Sequence, residues 1–133
     1  MVALHDTKNE ILESFDFSKH STEQLFAYLI KNKNEITSLN AENPHALFGV
    51  GAKSTFSFGR SVGVLETIIR LSGVPYRLLP PKEWQKPLFI GFTKKMKAKE
   101  KSKIIFSRLF PQYRDMKIND GLIDAALIAL YKV

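Results

Sequence analysis

The sequence predicts a single α/β domain in which helices cover at least one face of a β-sheet. Strand-like segments come first along the chain and then alternate with segments of helical periodicity, an order that is typical of this class. The chain has 133 residues and a hydrophobic content of 44%, which suits one domain with one core. A dinucleotide-binding fold is not predicted, because no Gly-x-Gly-x-x-Gly pattern follows a strand.

The N-terminal part is predicted to form a hairpin followed by a helix. Met1–Leu4 and Glu10–Phe17 have the apolar character of strands, and the polar segment between them is rich in Asp and Asn, as turns are. Ser21 and Gln24 match a capping box, which marks a helix start. Apolar residues at helical spacing follow, and the helix is predicted to end at Lys31–Asn34.

The middle of the chain is predicted to form two strands separated by a helix. Ile36–Glu42 is a short strand that carries a glutamate at its C-terminal end. Phe48–Ser57 combines glycines, hydroxyl residues and aromatics, so we expect a loop or a frayed helix start. Phe58–Ser72 has helical spacing and ends before a glycine, a favourable residue after a helix C-terminus. Val74–Leu79 is the next strand and stops at two prolines.

The C-terminal part is predicted to be helical. Lys82–Pro87 begins a short helix or turn, and a basic run follows at Lys94–Lys103, where six of ten residues are lysine. Lys101–Phe110 continues as an amphipathic helix that a proline closes. From Leu122 to Tyr131 every residue is apolar except Asp124, and a helix that is apolar all round is buried.

Composition indicates a basic protein with a polyanionic partner. The net charge of +7 and the pI near 9.7 favour nucleic acid over a membrane surface. The sequence has no cysteine, which excludes disulfides and thiolate metal sites. It also has no apolar run near the roughly 18 residues of a membrane helix and no signal-peptide pattern. We therefore expect a cytoplasmic protein.

Asp120 and Asp124 lie four positions apart, so both side chains lie on one face of the final helix. A buried carboxylate needs a partner, and a divalent cation would turn the repulsion between these two acids into chelation. The alternative is that Asp120 is the N-cap and Asp124 pairs with a Lys or Arg. Glu42, at the end of a predicted strand, is a third candidate ligand or a surface residue in a turn. Carboxylate oxygens are ligands that Mg²⁺ and Mn²⁺ prefer.

The basic residues are candidate phosphate contacts, with a solvated helix face as the alternative. Only Glu100 balances the lysine run, which favours nucleic acid. The candidate DNA-binding cations are Lys53, Arg60, Lys82, Lys86, Lys94, Lys95, Lys97, Lys99, Lys101 and Lys103. Phe48 is a candidate wedge between bases, although Phe48, Phe56 and Phe58 are more typical of a core. His45 is a candidate general acid or an ordinary turn residue.

Six ordered segments carry a resemblance to a known family. They are Ala41–Ala46, Ser54–Arg60, Pro80–Lys86, Lys99–Ser102, Leu109–Pro111 and Asp120–Ala129. In order and spacing they resemble the RuvC-like Holliday junction resolvases, most closely the small phage-type branch, and they span nearly the whole chain. The resemblance implies a ribonuclease H-like fold, a mixed β-sheet flanked by helices. It also implies a homodimer that cuts four-way DNA junctions in recombination and repair.

The resemblance assigns roles to particular residues. Glu42, Asp120 and Asp124 match the catalytic carboxylates, which in the family hold Mg²⁺ or Mn²⁺. The Phe56–Arg60 segment matches the start of the dimer-interface helix. Trp84, with Lys82 and Lys86, matches a region near the DNA. The resemblance also implies that the protein acts in a bacterial or phage-infected cell.

One departure concerns the first strand of the family, which ends in a catalytic Asp. Met1–Leu4 matches the family's second strand, and Asp6 lies at the far end of the hairpin from the place of that Asp. The first strand is therefore missing or truncated in this sequence. We expect either an N-terminally shortened resolvase or a protein that has lost catalysis. Restoring roughly a dozen upstream residues with an Asp would then raise both thermal stability and nuclease activity.

Three functions remain open from the sequence. The first is a junction-resolving endonuclease, and the second is a catalytically inactive junction- or DNA-binding protein. The third is another ribonuclease H-like nuclease, acting on RNA or RNA–DNA hybrids. A purely structural module is disfavoured, because it gives no reason for Asp124 within an apolar helix.

Overall fold

The computed structural model describes residues 2–5, 11–43 and 49–131, with the backbone alone for residues 2–5 and 12. The described part is mixed α/β, as the sequence predicts. Its elements in chain order are β1 (Val2–His5), β2 (Ile11–Phe15), α1 (Thr22–Asn32), β3 (Leu39–Glu42), α2 (Ala52–Ser72), β4 (Tyr76–Leu79), α3 (Pro81–Leu88), α4 (Ala98–Leu109), a 3-10 turn (Pro111–Tyr113) and α5 (Asp120–Ala129).

The strands form two short ladders. β1 and β2 are antiparallel, with Val2 opposite Phe15 and an irregularity between Leu4 and His5. β3 and β4 are parallel along their full length. Within the described ranges no ladder joins the two pairs. Helix α5 contacts both β1 and β3, so it links the two sheets.

Two apolar clusters stabilise this arrangement. The larger one surrounds α5 and consists of Leu79, Trp84, Ile105, Phe106, Phe110, Ile123, Ala126, Leu127 and Ile128. The smaller one lies where α1 and α2 pack together, and it consists of Phe15, Leu25, Leu29 and Val74. The burial predicted for the final helix is confirmed for four of its apolar residues, Ile123, Ala126, Leu127 and Ile128.

Both capping predictions, at the start of α1 and at the end of α2, are confirmed. The box at α1 is confirmed, because Ser21 Oγ accepts from the Gln24 backbone at 3.2 Å and Gln24 Oε1 accepts from the Ser21 backbone at 2.7 Å. Helix α2 ends as predicted, with Gly73 in the left-handed region at φ 74°.

The start of α2 decides between the two alternatives for Phe48–Ser57. The helix begins at Ala52, so a helix start is confirmed in this segment, and a loop is wrong for residues 52–57. The glycines there suggested a loop, but only Gly49 has a positive φ, while Gly51 is extended and serves as the N-cap. From Ala52 to Ser61 every residue is exposed, so the first half of this helix projects from the rest of the described chain.

None of the helices in the described ranges has the length and apolar character needed to cross a membrane.

Candidate acidic site and its basic surroundings

The start of α5 fixes the position of the two acids. Asn119 is the N-cap, and its Oδ1 accepts from the Gly121 backbone N–H at 2.7 Å. Asp120 is therefore the first helical residue, and the alternative that Asp120 caps the helix is wrong. Asp124 follows one turn later on the same face, as the spacing predicts. Asp120 lies in the first turn of the helix, where the helix dipole favours negative charge.

Helix α4 packs on α5 and brings cations to this face. Lys99 Nζ lies 3.7 Å from Asp120 Oδ2, and Lys103 Nζ lies 3.3 Å from Asp120 Oδ1. These side chains line a small concavity together with Ser102, Ile123 and Asp124. The Asp120 side chain is 42% exposed and both lysines more so, so these ion pairs contribute little to stability. Their importance is electrostatic, because they place two positive charges beside a pair of acids.

Asp124 has a different environment from Asp120. Burial raises the pKa of the Asp124 carboxyl above its ordinary value, and the charge of Asp120 raises it further. A hydrogen bond from Ser102 and the charge of Lys99 act in the opposite direction on this pKa. The alternative of a Lys or Arg partner for Asp124 is not realised in the described residues, where the ion pairs with Lys99 and Lys103 are made by Asp120. The desolvated Asp124 carboxylate would gain most from an added cation.

Glu42 stands at the C-terminal end of β3, as predicted, and it is exposed. Its Oε1 accepts a hydrogen bond from Trp84 Nε1 at 3.1 Å. Trp84 is 1% exposed and belongs to the core cluster around α5. The indole therefore orients Glu42 from the core side. Trp84 lies near Glu42, and its contact with DNA stays a prediction.

The three predicted acids do not meet in one place. Across residues 11–43 and 49–131, no three His, Cys, Asp or Glu side chains are grouped so that they could hold a metal ion. Asp120 and Asp124 alone form a pair, and Glu42 is separate from it. The pair still fits Mg²⁺ chemically, because this ion is often held by one or two carboxylates together with water and substrate phosphate.

The predicted basic residues fall into distinct groups. Lys99 and Lys103 lie beside the acid pair, whereas Lys101 is directed at the Phe89 ring, with Nζ 5.4 Å from the ring centroid. The other cations predicted to bind DNA are all exposed, and they are Lys53 and Arg60 on α2, Lys82 and Lys86 on α3, and Lys94, Lys95 and Lys97 before α4. The one acid of the lysine run, Glu100, accepts from the Lys97 backbone at 3.2 Å and so helps to start α4.

The predicted aromatic contacts are placed only in part. Phe48 and His45 lie outside the described residues. Phe56 is 75% exposed and Phe58 is 40% exposed, although a core position was favoured for both. Their helix projects into solvent, which spacing alone does not reveal.

Two polar residues near α5 were missed. Ser102 is 2% exposed and hydrogen-bonds Asp124. Its signal was present, because it lies one turn from Ile105 and Phe106 on the apolar face of α4. The second is Asn40, a polar residue within the strand predicted over Ile36–Glu42. Its Nδ2 donates to the Ile128 carbonyl at 2.9 Å and to the Tyr131 carbonyl at 3.0 Å, which ties β3 to the C-terminal end of α5.

The chain matches no protein-family model, and no curated protein is significantly similar to it.

Proposed function

We propose that the protein is a metal-dependent, structure-selective endodeoxyribonuclease that cuts four-way DNA junctions. The observation that carries the proposal is the juxtaposition on α4 and α5 of Asp120 and Asp124 with Lys99 and Lys103. Phosphodiester hydrolysis needs both kinds of group in one place. The acids suit a divalent cation, and the lysines suit the negative charge of a phosphate.

Each side chain has a role in this proposal. Asp120 and Asp124 would hold Mg²⁺ or Mn²⁺, which when bound stabilises negative charge and lowers the pKa of water. Without DNA, Lys99 and Lys103 form ion pairs with Asp120. A backbone phosphate offers these lysines a second anionic partner, so they would turn from Asp120 to the DNA. Glu42, held by Trp84, is the proposed third acid.

The ribonuclease H-like fold is part of the same proposal. It is supported by the order of an antiparallel hairpin followed by a parallel strand pair, with both pairs contacting the final helix. The helix that carries the acids thus lies against a strand of each sheet. One of these strands, β3, ends in Glu42.

A second function is favoured by a specific observation. The residues that the structure describes contain no group of three potential metal ligands. A protein that binds branched DNA through its cations without cutting it would have this arrangement. The two functions share the basic surface and differ in whether a phosphodiester is broken.

The first test is binding and cleavage of a labelled four-way DNA junction in Mg²⁺ and in Mn²⁺. We expect symmetric nicks and a preference for the junction over linear duplex by orders of magnitude. Binding should weaken steeply with salt, because each phosphate contact contributes a slope of about 0.9 to log K against log salt. Tight junction binding without nicks would establish the binding protein instead. An RNA–DNA hybrid that outcompetes the junction would indicate another ribonuclease H-like nuclease.

The exposed half of α2 is the proposed dimer surface. Phe56 is 75% exposed and Phe58 is 40% exposed on this half, and a second copy of the chain would bury both. We expect Phe56→Asp to shift the protein from dimer to monomer in sedimentation velocity, since burying a charge in an apolar interface is unfavourable. Met116→Asp is the matched control, because Met116 is 61% exposed and lies outside α2. A wild-type protein that is monomeric at all concentrations would contradict this surface.

A further inference from the structure

The turn between α3 and α4 holds one apolar side chain out in solvent. Ile90 is 78% exposed. Its turn, Phe89–Phe92, is closed by a hydrogen bond from the Phe92 backbone N–H to the Phe89 carbonyl at 3.3 Å. Gly91 occupies the third position with φ 87°, the conformation that a type II turn requires there. The backbone of the Ile90 turn is therefore defined by its own hydrogen bond and glycine.

The two aromatic residues of the Ile90 turn fix it to the body of the protein. Phe89 and Phe92 are half-buried and pack against the core cluster around α5. Cations of α4 cover both rings, with Lys101 Nζ 5.4 Å from the Phe89 centroid and Arg108 Cζ 5.7 Å from the Phe92 centroid. Such contacts stabilise by about 0.5–1 kcal/mol each at exposed sites. The Ile90 turn is thus held in position before any partner binds.

The surroundings of this tip are strongly basic. Lys94, Lys95 and Lys97 follow within seven residues and are exposed. In the part of the chain that the structure describes, no acid pairs with these three lysines, whereas Lys99 and Lys103 are paired with Asp120. A lone exposed apolar residue needs no explanation. Ile90, however, is fixed in place beside unpaired cations. This combination is complementary to a partner that has anionic edges and an apolar interior.

We infer that the Ile90 turn is a wedge that inserts the Ile90 side chain between bases, while the neighbouring lysines bind the flanking phosphates. Stacked base pairs are such a partner, and aliphatic side chains are common wedges. Opening a base step costs a few kcal/mol, and the cost is lowest where pairing is already disturbed. A branch point meets this condition, so the wedge would favour branched DNA over intact duplex. The inference rests on the proposed function only in taking DNA as the partner.

The test uses the full chain and a four-way junction that carries 2-aminopurine beside the branch point, in EDTA to prevent cleavage. Unstacking of this base raises its fluorescence. We expect wild-type protein to raise the signal and Ile90→Ala to lose most of the rise at saturating concentration. Junction affinity should fall about tenfold, which is within what burial of one isoleucine side chain supports. Leu71→Ala, which truncates a side chain that is 69% exposed on α2, should behave as wild type.

The outcomes separate the wedge from the function on which it rests. If the wild-type chain binds the junction without raising the fluorescence, or if Ile90→Ala gives the full rise, the wedge is refuted while DNA binding stands. If the wild-type chain does not bind the junction at all, the proposed function fails first. Binding to phosphatidylserine vesicles that is lost in Ile90→Ala, without binding to DNA, would make the turn a membrane contact and overturn the wedge.

Discussion

Asp124→Asn is expected to abolish metal-dependent cleavage of a four-way junction while leaving junction binding intact. The substitution keeps the shape of the side chain and its hydrogen bond with Ser102, but it removes one of the two carboxylate charges on α5. Removing one electrostatic contributor from an active site commonly costs about 100- to 1000-fold in rate. Binding depends on lysines and phosphates, so it should change little. Single-turnover cleavage and a gel-shift titration on the same junction measure the two effects separately.

The same variant carries a second expectation, which concerns stability. Burial raises the pKa of Asp124 in the folded state, so the native protein holds this proton more tightly than the unfolded chain does. At pH values between the pKa of Asp124 in the unfolded chain and its higher pKa in the folded protein, the folded state therefore becomes less stable as the pH rises. Asp124→Asn lacks this loss, so its melting temperature should exceed that of wild type at pH 7. The difference should shrink as the pH falls towards the ordinary carboxyl value of 3.8.

Asp115→Asn is the matched control for both expectations, because Asp115 is an exposed aspartate of the loop before α5. It should change neither cleavage nor the pH dependence of melting. Cleavage that survives in Asp124→Asn would remove α5 from the catalytic site. A variant that binds the junction less tightly than wild type would show that Asp124 acts through the fold and not through a metal ion. The melting comparison remains informative if even the wild-type chain does not cut.

The elements with local signals are those the sequence could predict. A capping box starts α1, and its two reciprocal hydrogen bonds join Ser21 and Gln24, which are only three positions apart. The left-handed Gly73 ends α2 for an equally local reason. The beginning of α2 has no such signal, because its glycines do not reveal which of them takes a positive φ. Whether its aromatic residues are covered depends on what else packs there, which no window of sequence contains.

The candidate site likewise has some features that the sequence predicts and others that depend on the packing of distant segments. That Asp120 and Asp124 share a face follows from their spacing on one helix. That Lys99 and Lys103 reach Asp120 follows from the packing of α4 on α5, which joins residues far apart in the sequence. The hydrogen bond from Trp84 to Glu42 likewise joins the core to a strand end across 42 positions. The motif around Trp84 implies a position near the DNA, but it does not show whether the ring faces solvent or the interior.

Trp84→Ala is expected to lower the free energy of unfolding by about 3–5 kcal/mol, the usual cost of removing a large aromatic side chain from a core. Trp84 is 1% exposed and packs in the cluster that surrounds α5. A loss of this size is a large fraction of the total stability of about 5–15 kcal/mol that a domain has. Urea denaturation followed by circular dichroism measures it, since the variant lacks the only tryptophan.

Trp84→Phe separates packing from hydrogen bonding and from DNA contact. Phenylalanine retains most of the buried ring but lacks the N–H that Glu42 accepts at 3.1 Å. Because Glu42 is exposed and water can replace the donor, we expect a loss well below that of Trp84→Ala, with about 1 kcal/mol from the hydrogen bond. Junction affinity should equal that of wild type. If Trp84→Phe keeps its stability but loses affinity, the indole contacts DNA, and the buried position that places it beneath Glu42 is not the one it occupies in the complex.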